Sequence, residues 1–191
     1  MAERRSPAAA FAGRFAAASE GGGLRLAELP FRTHVNVRVD PASPAAEDLA
    51  AVLGVPLPVE PCTAVQTGSG AGDVTVAWLG PDEWLVVGPE GYRHELLGKA
   101  LGDRHGSIVD VSAQRTTLLV SGPRARDLLA HGCALDLHPS VFGPGSCAQT
   151  MLAQAQVVLL ARPDGFLVLV RSSFAAYLAE WLLDAATEHL G

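Results

Sequence analysis

The stretch "TVAWLGPDEWLVV" (75–87) reads as two short apolar strands folded back across Gly80-Pro81-Asp82-Glu83. A second stretch, "VVLLARPDGFLVLV" (157–170), repeats the design with Arg162-Pro163-Asp164-Gly165 at the bend. Proline presets φ in such a turn and aspartate bonds the neighbouring backbone NH groups, so Asp82 and Asp164 read as turn formers rather than working carboxylates. Each hairpin leads into an apolar-striped helix. Tyr92, Leu96, Leu97 and Leu101 share a face after the first. Phe174, Tyr177, Leu178, Trp181 and Leu182 fall at i, i+3, i+4, i+7 and i+8 after the second. The chain therefore builds a hairpin–helix unit twice, over about 74–101 and 157–187, and must fold as related halves.

The rest of the chain fills in around that repeat. In "FRTHVNVRV" (31–39), Phe31, Thr33, Val35, Val37 and Val39 alternate with Arg32, His34, Asn36 and Arg38, the pattern of a half-buried strand. Ser43 and Pro44 supply an N-cap and a first-turn proline, Leu49, Val52 and Leu53 an apolar stripe, and Gly54 a stop. "PLPVEPC" (56–62) is too proline-rich for regular structure, and "TGSGAGD" (67–73) reads as a loop. "SIVDVSAQRTTLLVSG" (107–122) gives two short strands or one bent strand. Pro123 opens a helix with Leu128 and Leu129 that Gly132 stops, and "HPSVFGPGSC" (138–147) is a loop.

With 191 residues and 49% hydrophobic content, the chain has room for one domain of ordinary size or two packed halves. The mean hydropathy of +0.24 is high for a chain without an 18-residue apolar run, which favours apolar surface meant for a partner. A net charge of −6 supplies no basic footprint for nucleic acid. Three cysteines, Cys62, Cys133 and Cys147, are odd in number and widely spaced, which fits a reducing, cytoplasmic setting without a disulfide framework. Residues 1–23, rich in Ala, Gly and Ser, read as a flexible arm, with 24–191 as a single domain. Arg4-Arg5 is not read as an export signal, because Arg14 interrupts a weak alanine run.

The chemical motifs are weak. "GSGAG" lacks phosphate-loop spacing and runs into a strand instead of a helix. "LLVSGPRARDLL" (118–129) brings Arg124 and Arg126 to a helix start, but Pro123 removes one NH donor, so the junction reads as architecture. His131, Cys133, His138 and Cys147 match no zinc spacing, so no metal site is expected. No G-x-S-x-G elbow occurs. Asp110, Ser112, Gln114 and Arg115, in "DVSAQRTT" (110–117), form the most polar cluster amid apolar strands. They are either a solvated bend or a ligand or partner contact.

In their order and spacing, "ELPFRTHVNVRV", the "WLGPDEWLVV" hairpin, "DVSAQRTTLLVSGPRARDLL" and "PDGFLVLVRSSFAAYLAEWLLDA" resemble the gamma subunit of heterotetrameric sarcosine oxidase, over roughly residues 24 to 187. That subunit is similar to the folate-binding domain of the glycine-cleavage T-protein. The resemblance implies an α+β fold of pseudo-symmetric strand–strand–helix halves. In the T-protein an acidic pair opens the hairpin strand; the corresponding places here are Gln154 and Ala155, which cannot carry a proton or a charge. The first repeat keeps an acid, Asp73, at the equivalent place. The resemblance thus implies the fold without catalytic residues in this chain, and leaves Asp110, Ser112, Gln114 and Arg115 as a vestigial groove.

It further implies that sibling alpha and beta chains hold NAD, FAD, FMN and tetrahydrofolate, and that a delta chain holds zinc. The complex of that family oxidises sarcosine to glycine with hydrogen peroxide, and its methyl carbon passes to tetrahydrofolate or leaves as formaldehyde. The gamma chain is then an assembly component. Arg32, His34, Asn36, Arg38, Trp78 and Trp84 are the expected partner contacts, with a core role open for either tryptophan. A stand-alone folate-binding one-carbon protein and an adaptor module are the rival readings.

Overall fold

The structure, a computed structural model, describes residues 4–68 and 72–189. Residues 69–71 of the expected 67–73 loop and 1–3 of the expected arm lie outside the described residues. In chain order the elements are α1 (Ala12–Ala18), β1 (Arg25–Leu29), β2 (Thr33–Arg38), α2 (Pro44–Leu53), β3 (Ala64–Gln66), β4 (Thr75–Gly80), β5 (Glu83–Gly88) and α3 (Glu95–Leu101). They continue with β6 (Ser107–Asp110), β7 (Arg115–Ser121), α4 (Ala125–Ala130), β8 (Cys147–Leu152), β9 (Ala155–Arg162), β10 (Gly165–Arg171) and α5 (Ala175–Ala186). The chain divides into two compact units. The first comprises Met1–Pro30, Ala113–Pro144 and Gln149–Gly191; the second comprises Phe31–Ser112 and Gly145–Ala148.

Each unit carries a five-stranded sheet, ordered β1-β7-β10-β9-β8 in the first and β3-β4-β5-β2-β6 in the second. The repeat is longer than the hairpins suggest. β2-α2-β3-β4-β5-α3 in one unit follows the same order as β7-α4-β8-β9-β10-α5 in the other. The outer strands are exchanged: β1 pairs with β7 but leads by chain into β2, and β6 pairs with β2 but leads by chain into β7. The 107–122 stretch is thus two strands in two sheets, separated by a 3-10 turn at Ser112–Gln114.

The two bends form as their turn chemistry predicts. Arg162 and Gly165 face each other across Pro163-Asp164, and Gly80 faces Glu83 across Pro81-Asp82. α2 has Ser43 in an extended N-cap, Pro44 at its start and Gly54 at φ +76° at its end, a left-handed position that favours glycine. Leu49 and Leu53 enter the second unit's core with Val35, Val37, Trp84 and Leu97, whereas Val52 points outward. In α5 the buried face is Ala175, Leu178, Ala179, Leu182, Leu183 and Ala186, and Phe174 and Tyr177 of the expected stripe are exposed. Small alanines let the helix sit close to its sheet, which turns the bulky aromatics away.

The flexible arm expected over 1–23 is instead structured where it is described. A 3-10 turn at Ala9–Phe11 leads into α1, which buries Phe15 and Ala18. Glu28 ties the segment down, accepting from Ser6 Oγ at 2.6 Å, Ala8 NH at 3.1 Å and Thr116 Oγ1 at 2.6 Å. Alanine-rich composition favours helix once an apolar anchor supplies tertiary contact, and Phe15 is that anchor.

Candidate functional site

The expected partner contacts of β2 fare unequally. β2 lies between β5 and β6, and His34, at 1% exposed, is unavailable as a surface contact. Arg32 turns to Asp73, with Nη2 3.7 Å from Oδ1 and donating to the Asp73 carbonyl at 3.2 Å. Asn36 Nδ2 donates to Glu83 Oε1 at 2.7 Å. Arg38 stays at the surface in a two-pronged pair with Asp82, at 2.9 and 3.0 Å. Trp84 is fully buried, its indole NH donating to Pro58 O at 2.7 Å, so it is a core residue and not a docking one. Trp78 is partly buried against the same core.

The polar cluster at 110–115 is divided by the fold: Asp110 and Ser112 belong to the second unit, Gln114 and Arg115 to the first. Asp110 Oδ1 accepts from Ser112 Oγ at 2.5 Å and from Ser112 NH at 2.8 Å, and Ser112 Oγ accepts the His34 NH at 2.9 Å. Those two Ser112 bonds, the hydroxyl first, hold the Asp110 carboxyl below the usual carboxylate range. The arrangement is a local turn that closes the end of β2. Gln114 is exposed, while Arg115 borders a hollow of about 470 Å³ with Arg171, Gln149 and Gln156. Sequence reasoning missed Arg171, which faces Arg115 directly across β7 and β10. Only the register of two distant strands brings them together.

Neither repeat presents a working acid. Gln154 sits exposed in the turn before β9, beside Ala153 at φ +50°, and its NH donates to Tyr177 Oη at 3.3 Å. Ala155 is fully buried. Asp73, the acid of the first repeat, is enclosed against Arg32. No group of three or more potential metal ligands occurs among the described residues. The Ser121-Gly122-Pro123 junction borders a cleft of about 840 Å³ with Arg25, Arg126 and Arg162. Arg126 is committed to the Leu137 and Phe142 carbonyls and lies 4.9 Å from the Phe166 ring centre; Arg124 pairs with Asp127. These side chains hold backbone and one another.

The pattern of the sarcosine oxidase gamma subunit family matches residues 37–188. The sarcosine oxidase gamma subunits of Corynebacterium sp. strain P-1 and of an Arthrobacter species are 40% and 41% identical, each over 97% of this chain and 91% of their own length. The chain belongs to the sarcosine oxidase gamma subunit family. Among solved structures, a chain of the heterotetrameric sarcosine oxidase from Corynebacterium sp. U-96, in complex with pyrrole 2-carboxylate, superposes with a TM-score of 0.89. It is 36% identical, and the match covers 98% of this chain and 97% of that one.

The gamma-family fold extends to aminomethyltransferase T of the glycine cleavage system from Bartonella henselae, at a TM-score of 0.66 and 17% identity. That match covers 85% of this chain and 46% of that one. The α+β, T-protein-like fold that the resemblance implies is therefore the fold of this gamma-family chain. Among the described residues no helix is long and apolar enough to cross a membrane.

Proposed function

We propose that the chain is a non-catalytic gamma subunit of a cytoplasmic heterotetrameric sarcosine oxidase, serving its assembly and stability. The observation that carries this reading is the end-to-end likeness, at 36% identity, to a chain of a solved heterotetrameric sarcosine oxidase. The side chains support it. The places where a T-protein acid would act hold Gln154 and Ala155, and Asp73 is committed to an ion pair. Alpha and beta partners supply FAD, FMN, NAD and tetrahydrofolate, and a delta partner supplies zinc. Of the residues expected to meet them, Arg38 is exposed, and Arg32, Asn36 and Trp78 are half-buried.

Expression of the alpha, beta and delta chains with and without this one tests the reading. Without it, assembly is expected to fall sharply, while whatever complex forms keeps its rate per flavin. Full assembly and a normal rate of sarcosine oxidation in its absence overturn the proposal. Tight binding of tetrahydrofolate to the lone chain, measured by calorimetry, would replace it with a folate-dependent one-carbon role.

A further inference from the structure

Two of the three cysteines meet in the second unit. Thr63 and Ser146 face each other in an isolated antiparallel bridge, flanked by hydrogen bonds from Ala64 NH to Gly145 O and from Cys147 NH to Cys62 O, both 2.8 Å. Cys62 and Cys147 therefore meet at the end of this short bridge, joined by one of the two hydrogen bonds that a regular opposed pair exchanges, with Cys62 turned out of strand conformation at φ +61°. In a regular ladder such a pair sets its Cα atoms about 5.5 Å apart, inside the range of roughly 4.4–6.8 Å that a disulfide accepts.

The two thiols differ in kind. Cys62 is exposed and held at φ +61°, a left-handed conformation uncommon outside glycine. Cys147 is 1% exposed, and its thiol donates to Thr63 O at 3.2 Å and Trp78 O at 3.4 Å. Burial first, and then the neighbouring Cys62 thiol, push the Cys147 thiol up to about 12, so it holds its proton until a partner sulfur beside it can accept the attack. One sulfur is thus open to attack and the other is held in reserve beside it.

We propose that Cys62 and Cys147 are a peroxide-oxidisable pair that closes into a disulfide. In the first step the Cys62 thiolate attacks one peroxide oxygen. An S–O bond forms, the O–O bond breaks, and the departing hydroxide takes a proton to leave as water. In the second step the Cys147 sulfur attacks the Cys62 sulfur. The S–S bond forms, the S–O bond breaks, and the hydroxyl leaves with the Cys147 proton as a second water. The two thiols lose two electrons and one peroxide is reduced to two waters. Cys133, buried in the first unit, takes no part. Added peroxide suffices, so the pair stands or falls apart from the subunit reading; if that reading holds, the assembly itself makes the oxidant.

The test is to treat the full chain with hydrogen peroxide at neutral pH, alkylate the remaining thiols and map the peptides without reduction. The expected product is a peptide pair joining Cys62 to Cys147, lighter by two hydrogens and released by dithiothreitol, with Cys133 still alkylated. Cys147→Ser should leave Cys62 as a sulfenic acid that dimedone traps. Cys62→Ser, at an exposed position that the fold tolerates, should leave Cys147 unmodified. Wild type that yields dimedone-trapped or over-oxidised Cys62 as readily as Cys147→Ser, or links Cys62 between two copies, overturns the proposal.

Discussion

Arg32 Nη2 reaches Asp73 twice, 3.7 Å from Oδ1 and 3.2 Å from the main-chain carbonyl, with side chains only 10% and 2% exposed. The Asp73 carboxylate is therefore held by a guanidinium rather than presented to a ligand. Removing one member of such a pair strands a buried charge, which costs about 3–5 kcal/mol. Arg32→Met should lower stability by that order in urea unfolding. The double change Arg32→Met with Asp73→Leu should recover much of the loss, because neither charge is then left alone. A double variant no more stable than Arg32→Met would mean that the two side chains are not coupled.

Trp84 joins the core of the second unit to the irregular 56–62 segment through its bond to the Pro58 carbonyl. Trp84→Phe keeps most of the apolar volume but leaves that buried carbonyl without its donor, a loss of about 1–3 kcal/mol. The expected outcome is a lower unfolding midpoint together with loss of the blue-shifted part of the tryptophan emission. Unchanged stability would show that the Pro58 carbonyl has another donor.

Local chemistry explains which parts of the fold were legible. The bends at Pro81-Asp82 and Pro163-Asp164, and the Ser43-Pro44 to Gly54 helix, were readable because their signals lie within a few residues of the structure they make. The exchange of β1 and β6 was not, because it joins Arg25 to Ser121 and Val35 to Asp110 across long stretches of chain. His34 was misjudged as a contact for a related reason: alternation shows which residues share a face, not how deeply that face is buried, and Trp84 took the core role left open for it. Phe174 and Tyr177 fit a helical period as well as the true buried face does, and the small Ala175 and Ala179 decided between them.

Two glycine substitutions probe the first unit. A Cβ at Gly165, where φ is +150°, would lie 2.4 Å from Val120 O and 2.5 Å from Ser121 Cα. Both are backbone atoms of the paired strand β7, so Gly165→Ala should destabilise by about 2–3 kcal/mol or prevent folding. Gly13 has nothing within 4 Å of such an atom and lies inside α1. Gly13→Ala should therefore stabilise by about 0.5–1 kcal/mol. A neutral effect at Gly13 would return residues 12–18 to the status of a loose arm.

Asp110 gives the fold a predictable acid dependence. Its carboxyl accepts two bonds from Ser112, and those bonds hold its pKa in the folded chain below the unfolded value of about 3.9. The unfolded state then binds more protons through that window, so stability rises with pH across it. The contribution is complete above the unfolded pKa and is lost as pH falls through the folded one. Asp110→Asn should melt below wild type at pH 6–7, and the gap should narrow as pH drops under about 4. The side chain is 47% exposed, so the gap should be modest. Thermal melts of both proteins from pH 3 to pH 7 check this, and a constant offset at every pH would mean that the Ser112 bonds favour neither form of the carboxyl.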